Sequence, residues 1–261
     1  MAKFCSLYSS SEGNCTYIGA SSGGILIDIG VSAKKAEEAL TGIGISPDSI
    51  KAIFITHEHS DHIKGVRVFA SRHKIKVYAT RGTLEGMNEA GVFKTPFDAY
   101  VMPEEGIEVA GIYVKSFETP HDSNDSCGYV ALTPDGKKIA VATDIGKITP
   151  VVENAITGCD LVLLESNHDV RLLKLGPYPF FLKERILSNF GHLSNEACAE
   201  MAAKLYINGT TRFVLGHLSK ENNMPQIAYE TTKAALAEVG GAEGKDYILT
   251  VAGDLNEPII F

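Results

Sequence analysis

Short apolar runs broken by glycine, serine and asparagine open the chain: residues 4–9 (FCSLYS), then CTYIG, then GILIDIG. Runs of this length between turn formers predict strands, and their close spacing predicts an antiparallel meander. The pattern then changes to a charged segment, AKKAEEALTGIG, in which Ser32 is placed to cap a helix and Gly42 or Gly44 to end it. KAIFIT is a buried-strand pattern that runs directly into a cluster of histidines. Beyond the cluster, Ile63, Val66 and Phe69 or Ala70 recur at helical spacing, and KVYAT and RGTLEGMNEAG predict one more strand and a short helix.

Strands resume in the middle of the chain with IEVA, IYVKSFE, GYVALT and KKIAVAT, the last two joined by a Pro134-Asp135-Gly136 turn. DLVLLE predicts a buried strand and SNEACAEMAAKLYIN a helix with Ser194 as its N-cap. RFVLG, a helix through QIAYETTKAALAEVG, and YILTVAG complete the pattern. Helices are interspersed among the strands without the regular alternation of a doubly wound sheet. The predicted architecture is therefore α/β, two packed sheets with helices outside. Neither repeats nor a proline-rich linker interrupt it, so residues 1–261 are expected to form one domain.

Composition narrows the classes of function. Of the 261 residues, 44% are hydrophobic and 21% charged, which excludes an intrinsically disordered chain. The net charge of −8 argues against holding nucleic acid by overall electrostatics, so an anionic substrate needs a metal or a local basic patch. The five cysteines are scattered and form no C-x-x-C pair, which reads as small buried residues in a reducing compartment. The opening MAKFCSLYSSSEGN lacks the apolar core of a secretory signal, and no run reaches the length of a membrane span. A soluble, cytoplasmic protein with no membrane partner is the expectation; oligomeric state is not readable.

The chemistry is concentrated in Thr56-His57-Glu58-His59-Ser60-Asp61-His62, of the form H-x-H-x-D-H. On an extended segment His57 and His59 project to the same side and can share one ion. Asp61 and His62 fall where the chain turns into a helix, which redirects them toward a second ion. An isolated histidine is usually satisfied by a local hydrogen bond, but four donors within six residues are a different case. Imidazole with carboxylate suits zinc, manganese or iron, whereas closed structural zinc sites favour cysteine. Further ligands are available at strand ends: His121 after IYVKSFE, Asp144 after KKIAVAT, and His217 after RFVLG. The expected assignment puts His57, His59 and His121 on one metal, Asp61, His62 and His217 on the other, and Asp144 between them. A plain turn residue is the alternative for Asp144. His73 has no such context and is read as solvent-exposed.

This order of motifs resembles the metallo-β-lactamase superfamily, and the resemblance implies an αββα four-layer sandwich with a dinuclear site. SSSEGNCTYI, THEHSDHIKGV, ETPHDS, VATDIG, ESNHD, GHLSNEA and HLSKENN, spread over nearly the whole chain, are similar to the WalJ/YycJ group of small bacterial proteins. That resemblance implies 5′-to-3′ exonuclease activity on DNA and a part in mismatch repair. Glu12 departs from the S-S-G-N expected in the first motif. Ribonuclease Z is a more distant likeness, whose acid after a strand, G-H-S/T segment and final H-x-S-x-R have counterparts in Glu165, in His192 and in His217 to Lys220; its arginine is not matched.

For such an enzyme two divalent ions, zinc or manganese, would activate water and neutralise phosphate charge. Asp61 can orient the nucleophile, and His192 or His168 can protonate the leaving alkoxide. Ser219, Lys220 and Arg171 are candidate phosphate contacts. Lys64, Arg67, Arg72, Lys74, Lys76 and Arg81 form one basic group, and Arg171, Lys174, Lys183 and Arg185 a second. Either they are solvated faces or they track phosphates. Tyr178, Phe180 and Phe181, in the 176–181 loop, either cover the core or stack on a terminal base. A small-molecule phosphodiesterase, another hydrolase of this fold, and a metal-stabilised nucleic-acid-binding module are the competing readings.

Overall fold

The computed structural model describes residues 1–254 and 256–261. Two compact units emerge: Met1–Ser116 with Ser123–Lys137 and Gly253–Phe261, and Phe117–Asp122 with Lys138–Ala252. Among the described residues the strands form two mixed sheets of seven strands each, accompanied by helices, as the sequence pattern predicts.

In the first unit β1 (Lys3–Ser10), β2 (Gly13–Ala20) and β3 (Gly23–Ile27) form the expected antiparallel meander. A switch to parallel pairing follows, through α1 (Ala33–Gly42), β4 (Ile50–Phe54), α2 (Ser60–Ile63), α3 (Val66–His73), β5 (Lys76–Ala79), α4 (Arg81–Glu89) and β6 (Ala99–Val101). Ser32 caps α1 by accepting from Lys35 N at 3.3 Å. Leu40 of α1, Phe69 of α3 and Met87 of α4 are fully buried in one cluster with Leu26, Ile53 and Val77 of the sheet. Covered strands of this kind read as continuous apolar runs, which is why β4 was legible. A hairpin, β7 (Ile107–Val109) with β8 (Ile112–Glu118), and β9 (Cys127–Leu132) follow.

The second unit alternates strand and helix: β10 (Lys138–Ala142), α5 (Pro150–Ile156), β11 (Leu161–Glu165), α6 (Val170–Leu175), α7 (Phe180–Leu187), α8 (Asn195–Ile207), β12 (Arg212–Gly216), α9 (Pro225–Glu238) and β13 (Ile248–Val251). β10 to β13 pair in parallel throughout. The last strand, β14 (Ile259–Ile260), belongs to the first unit, where it pairs antiparallel with β1.

One helix falls outside the expected pattern and two expectations are corrected. The helix is α5, hidden by two valines of low helix propensity; Thr149 caps it and Pro150 occupies its first turn. The 176–181 segment is a loop only as far as Pro179, the N-cap of α7, and Phe180 and Phe181 lie exposed on that helix instead of covering a core. His73 is not solvent-exposed but held between Asp48 at 2.9 Å and Glu37 at 3.0 Å. The cysteines meet the expectation, all five being free and buried.

Candidate functional site

In the first unit the histidine motif hangs from the end of β4. Ile55 N donates to Tyr78 O and Tyr129 Oη donates to Ile55 O, so the chain is fixed one residue before the motif. Thr56 and His62 then converge on one carboxylate at the end of β3. Asp28 accepts from Thr56 N at 2.9 Å, from Thr56 Oγ1 at 2.8 Å and from His62 Nδ1 at 2.8 Å. Since the Thr56 hydroxyl proton goes to Asp28, its oxygen accepts from His57 Nδ1 at 3.1 Å. Both imidazoles therefore carry their proton on Nδ1 and present the Nε2 lone pair, the state a metal requires. The His57 ring lies 4.5 Å from that of His59 and 4.1 Å from that of His62, centroid to centroid. Asn14 directs its amide nitrogen at His62 Nε2 from 3.1 Å. Gly30 makes the close approach possible: a Cβ there would sit 1.5 Å from Asp61 O.

In the second unit Asp144, Glu165, His192 and His217 offer ligand atoms within 4.8 Å of one another. Each stands where an apolar strand or a tight loop stops. Glu165, at the end of β11, has no solvent exposure and accepts four hydrogen bonds. Its Oε1 takes His192 Nδ1 at 2.7 Å and His217 Nδ1 at 3.0 Å, and its Oε2 takes Ile145 N at 2.7 Å and Leu193 N at 3.3 Å. Burial alone would raise its carboxyl, but the His192 and His217 imidazoles outweigh burial and hold it well below the usual carboxylate range. With Nδ1 taken, His217 turns Nε2 to within 3.4 Å of Asp144 Oδ1. His121 repeats the device, donating Nδ1 to Gly191 O at 3.0 Å and placing Nε2 3.7 Å from the same carboxylate oxygen. Burial holds the His121 imidazole below its ordinary value, which keeps it neutral and available as a ligand.

Two imidazole Nε2 atoms and a buried carboxylate, each imidazole oriented by an oxygen acceptor on its far nitrogen, are the donor set of a divalent cation. The second unit's residues thus fit the metal that the sequence implies, and the first unit presents His57 and His62 with their Nε2 atoms oriented in the same way. Asp28, Asp144 and His217 adopt left-handed conformations with φ of 60°, 57° and 55°. Aspartate and histidine enter that region more readily than most non-glycine residues.

The remaining sequence candidates are placed as follows. Ser219 accepts from Asn222 N through its Oγ at 3.1 Å, while Lys220 and Arg171 are exposed. In the basic groups Arg72 pairs with Glu37 and Arg185 with Asp122, while Lys183 donates to the carbonyls of Lys174 and Gly176. Asp28, Thr56 and Asn14 were missed, although Asp28 ends an apolar strand just as Asp144 does. Missed too was a buried amide network: Asn167 Nδ2 donates to His217 O at 2.9 Å, and Ser166, Asn195 and Asn223 bond to one another behind it.

His168 is 1% exposed, and neither ring nitrogen has a hydrogen-bond partner among the described residues. Burial lowers its pKa to about 4 from an ordinary 6.5. The unfolded chain therefore takes up the proton first as pH falls, so stability drops between pH 6.5 and 4 and is fully present above 6.5. The effect is on the order of 3 kcal/mol. Urea unfolding of His168→Phe across that range is expected to show a shallower pH dependence than wild type; an equal slope contradicts this account of His168.

Comparison with known proteins extends the geometry. Residues 24–218 match the beta-lactamase superfamily domain. The chain is 37% identical over 248 residues to exodeoxyribonuclease WalJ of Streptococcus pneumoniae (strain D39), covering 94% of this chain and 92% of that protein. It is 34% identical over 246 residues to exodeoxyribonuclease YycJ of Bacillus anthracis, with the same coverage. Among solved structures, the metallo-beta-lactamase fold protein YhfI from Bacillus subtilis aligns with a TM-score of 0.71 at 12% identity over 97% of each chain.

Proposed function

Because the chain belongs to the metallo-β-lactamase superfamily, we propose that it is a dinuclear metal-dependent phosphodiesterase that removes nucleotides from DNA ends, 5′ to 3′, in DNA repair. Likeness to an exodeoxyribonuclease over 94% of the chain carries this reading. The donor chemistry supports it. His57, His59, Asp61, His62, His121, Asp144 and His217 are proposed as ligands of two divalent cations, zinc or manganese. When bound, those ions supply an activated water and neutralise charge on the phosphodiester.

The protein's own groups do the rest. Asp28 and Glu165 keep the protons of His62 and His217 on Nδ1. Asp61 orients the attacking water. His192, with Nδ1 engaged by Glu165 at 2.7 Å, would act as the imidazolium beside that carboxylate: it gives the Nε2 proton to the leaving alkoxide and is left as a neutral imidazole whose Nδ1–H stays on Glu165. His168 supports this region as a neutral imidazole. Lys220, Arg171 and Ser219 are proposed to hold backbone phosphates, which position a strand without reading its sequence.

Among the described residues no helix is long and apolar enough to cross a membrane. We place the protein in the cytoplasm.

A 5′-phosphorylated duplex labelled at one end or the other tests the activity and its direction. Shortening from the 5′ end with manganese or zinc is expected, and it should be lost in Asp61→Ala and in His62→Ala. Intact DNA alongside rapid hydrolysis of a small chromogenic phosphodiester would instead identify a small-molecule enzyme.

A further inference from the structure

Helices α6 and α7 bury few of their side chains. One residue of α6, Leu173, and one of α7, Ile186, are buried. Leu175, Phe180 and Phe181 are 82%, 73% and 72% exposed, and Phe190 is 57% exposed. Large apolar side chains left in water at four positions of one short segment mark a surface made for contact. Residues 170–190 also carry four basic residues against one acidic, in a chain whose net charge is −8. Arg171 and Lys174 of that set are exposed.

This surface is joined to the second unit's donor set. Phe190 O accepts from Asp122 N at 3.0 Å, and the next carbonyl, Gly191 O, takes the Nδ1 proton of His121 at 3.0 Å. Gly146 permits the contact, because a Cβ there would sit 2.2 Å from Asn189 O. Lys183 ties α7 to the C-terminal carbonyls of α6, so the aromatic residues ride on a braced pair of helices.

We propose that α6, α7 and Phe190 form a docking platform for the unpaired terminus of a DNA strand, with Phe180, Phe181 and Phe190 stacking on bases and Arg171 and Lys174 meeting phosphates. The inference rests on the proposed nuclease function and adds to it the state of the substrate: a strand end with its bases exposed. Exposed aromatic faces suit single-stranded nucleic acid because every base has a face to stack on, and the local positive charge matches its backbone. A second copy of this chain would bring the same positive charge against itself.

Fluorescence anisotropy with a labelled thymidine oligonucleotide and an abasic oligonucleotide of equal length separates stacking from charge. The wild-type holoenzyme is expected to bind the thymidine strand about tenfold or more tightly than the abasic one. Phe180→Ala/Phe181→Ala should remove that preference, while Arg171→Ala/Lys174→Ala should weaken both probes alike. Equal binding of the two probes by wild type overturns the platform, as does a preference unchanged in the phenylalanine double variant. So does sedimentation showing that the double variant turns a dimer into a monomer. If wild type shortens DNA yet shows no preference, the platform fails and the nuclease reading stands; if it does not act on DNA, both fail.

Discussion

Glu165→Gln is expected to lower nuclease turnover by at least about a hundredfold and metal affinity by about 10- to 100-fold, without unfolding the protein. The reason is a count of donors. All four groups around the Glu165 carboxylate are N–H donors: two backbone amides on Oε2 and two imidazoles on Oε1. A glutamine must turn its own NH2 toward one pair. The amides of Ile145 and Leu193 cannot change, so the NH2 faces the imidazoles, which can. His192 and His217 then take the other tautomer, with Nδ1 accepting and the proton on Nε2. A protonated Nε2 is no ligand, and His192 loses the carboxylate that orients it. Isothermal titration with manganese and a digestion time course check both effects, and wild-type metal affinity in the variant would refute the tautomer argument.

Asp28→Asn is expected to have a comparable effect in the first unit, again about 10- to 100-fold in metal affinity and at least as much in activity. Asparagine tolerates the left-handed backbone at this position, where φ is 60°, so the fold should survive. Its oxygen can keep Thr56 N, but its NH2 then faces Thr56 Oγ1 and His62 Nδ1. The hydroxyl can rotate and accept; the imidazole must move its proton to Nε2, where the Asn14 amide already points from 3.1 Å. His57 is disturbed as well, since the Thr56 oxygen that accepts from it at 3.1 Å is reoriented. Imidazole NMR of the metal-free variant should report the switch as exchanged Nδ1 and Nε2 protonation at His62. Unchanged tautomers would place the origin of any activity loss elsewhere.

Much of the fold and of the donor sets was legible because apolar runs end at chemistry. β4 leads into His57, β10 into Asp144 and β12 into His217, and a strand that is buried along its length stands out in a sequence. β3 ends at Asp28 in the same way, yet that carboxylate lies far in sequence from the histidines it serves. Its role exists only once Thr56 and His62 are folded onto it. The same holds for Glu165, whose hold on two imidazoles at once depends on distances that spacing does not encode. α5 and α7 were obscured for local reasons, by β-branched residues in one and by flanking prolines in the other. Paired surface charges, such as Arg72 with Glu37 or His73 between two carboxylates, join residues 25 to 36 positions apart and leave no local pattern.

The central claim is that these imidazoles and carboxylates hold the ions that cleave DNA. The most direct test is to strip the purified protein with a chelator and titrate manganese or zinc back while the shortening of a 5′-phosphorylated duplex is followed and bound metal is measured per chain. Activity is expected to be absent in the stripped protein and to rise until two equivalents are bound. Full activity in protein shown to carry no metal would contradict the account.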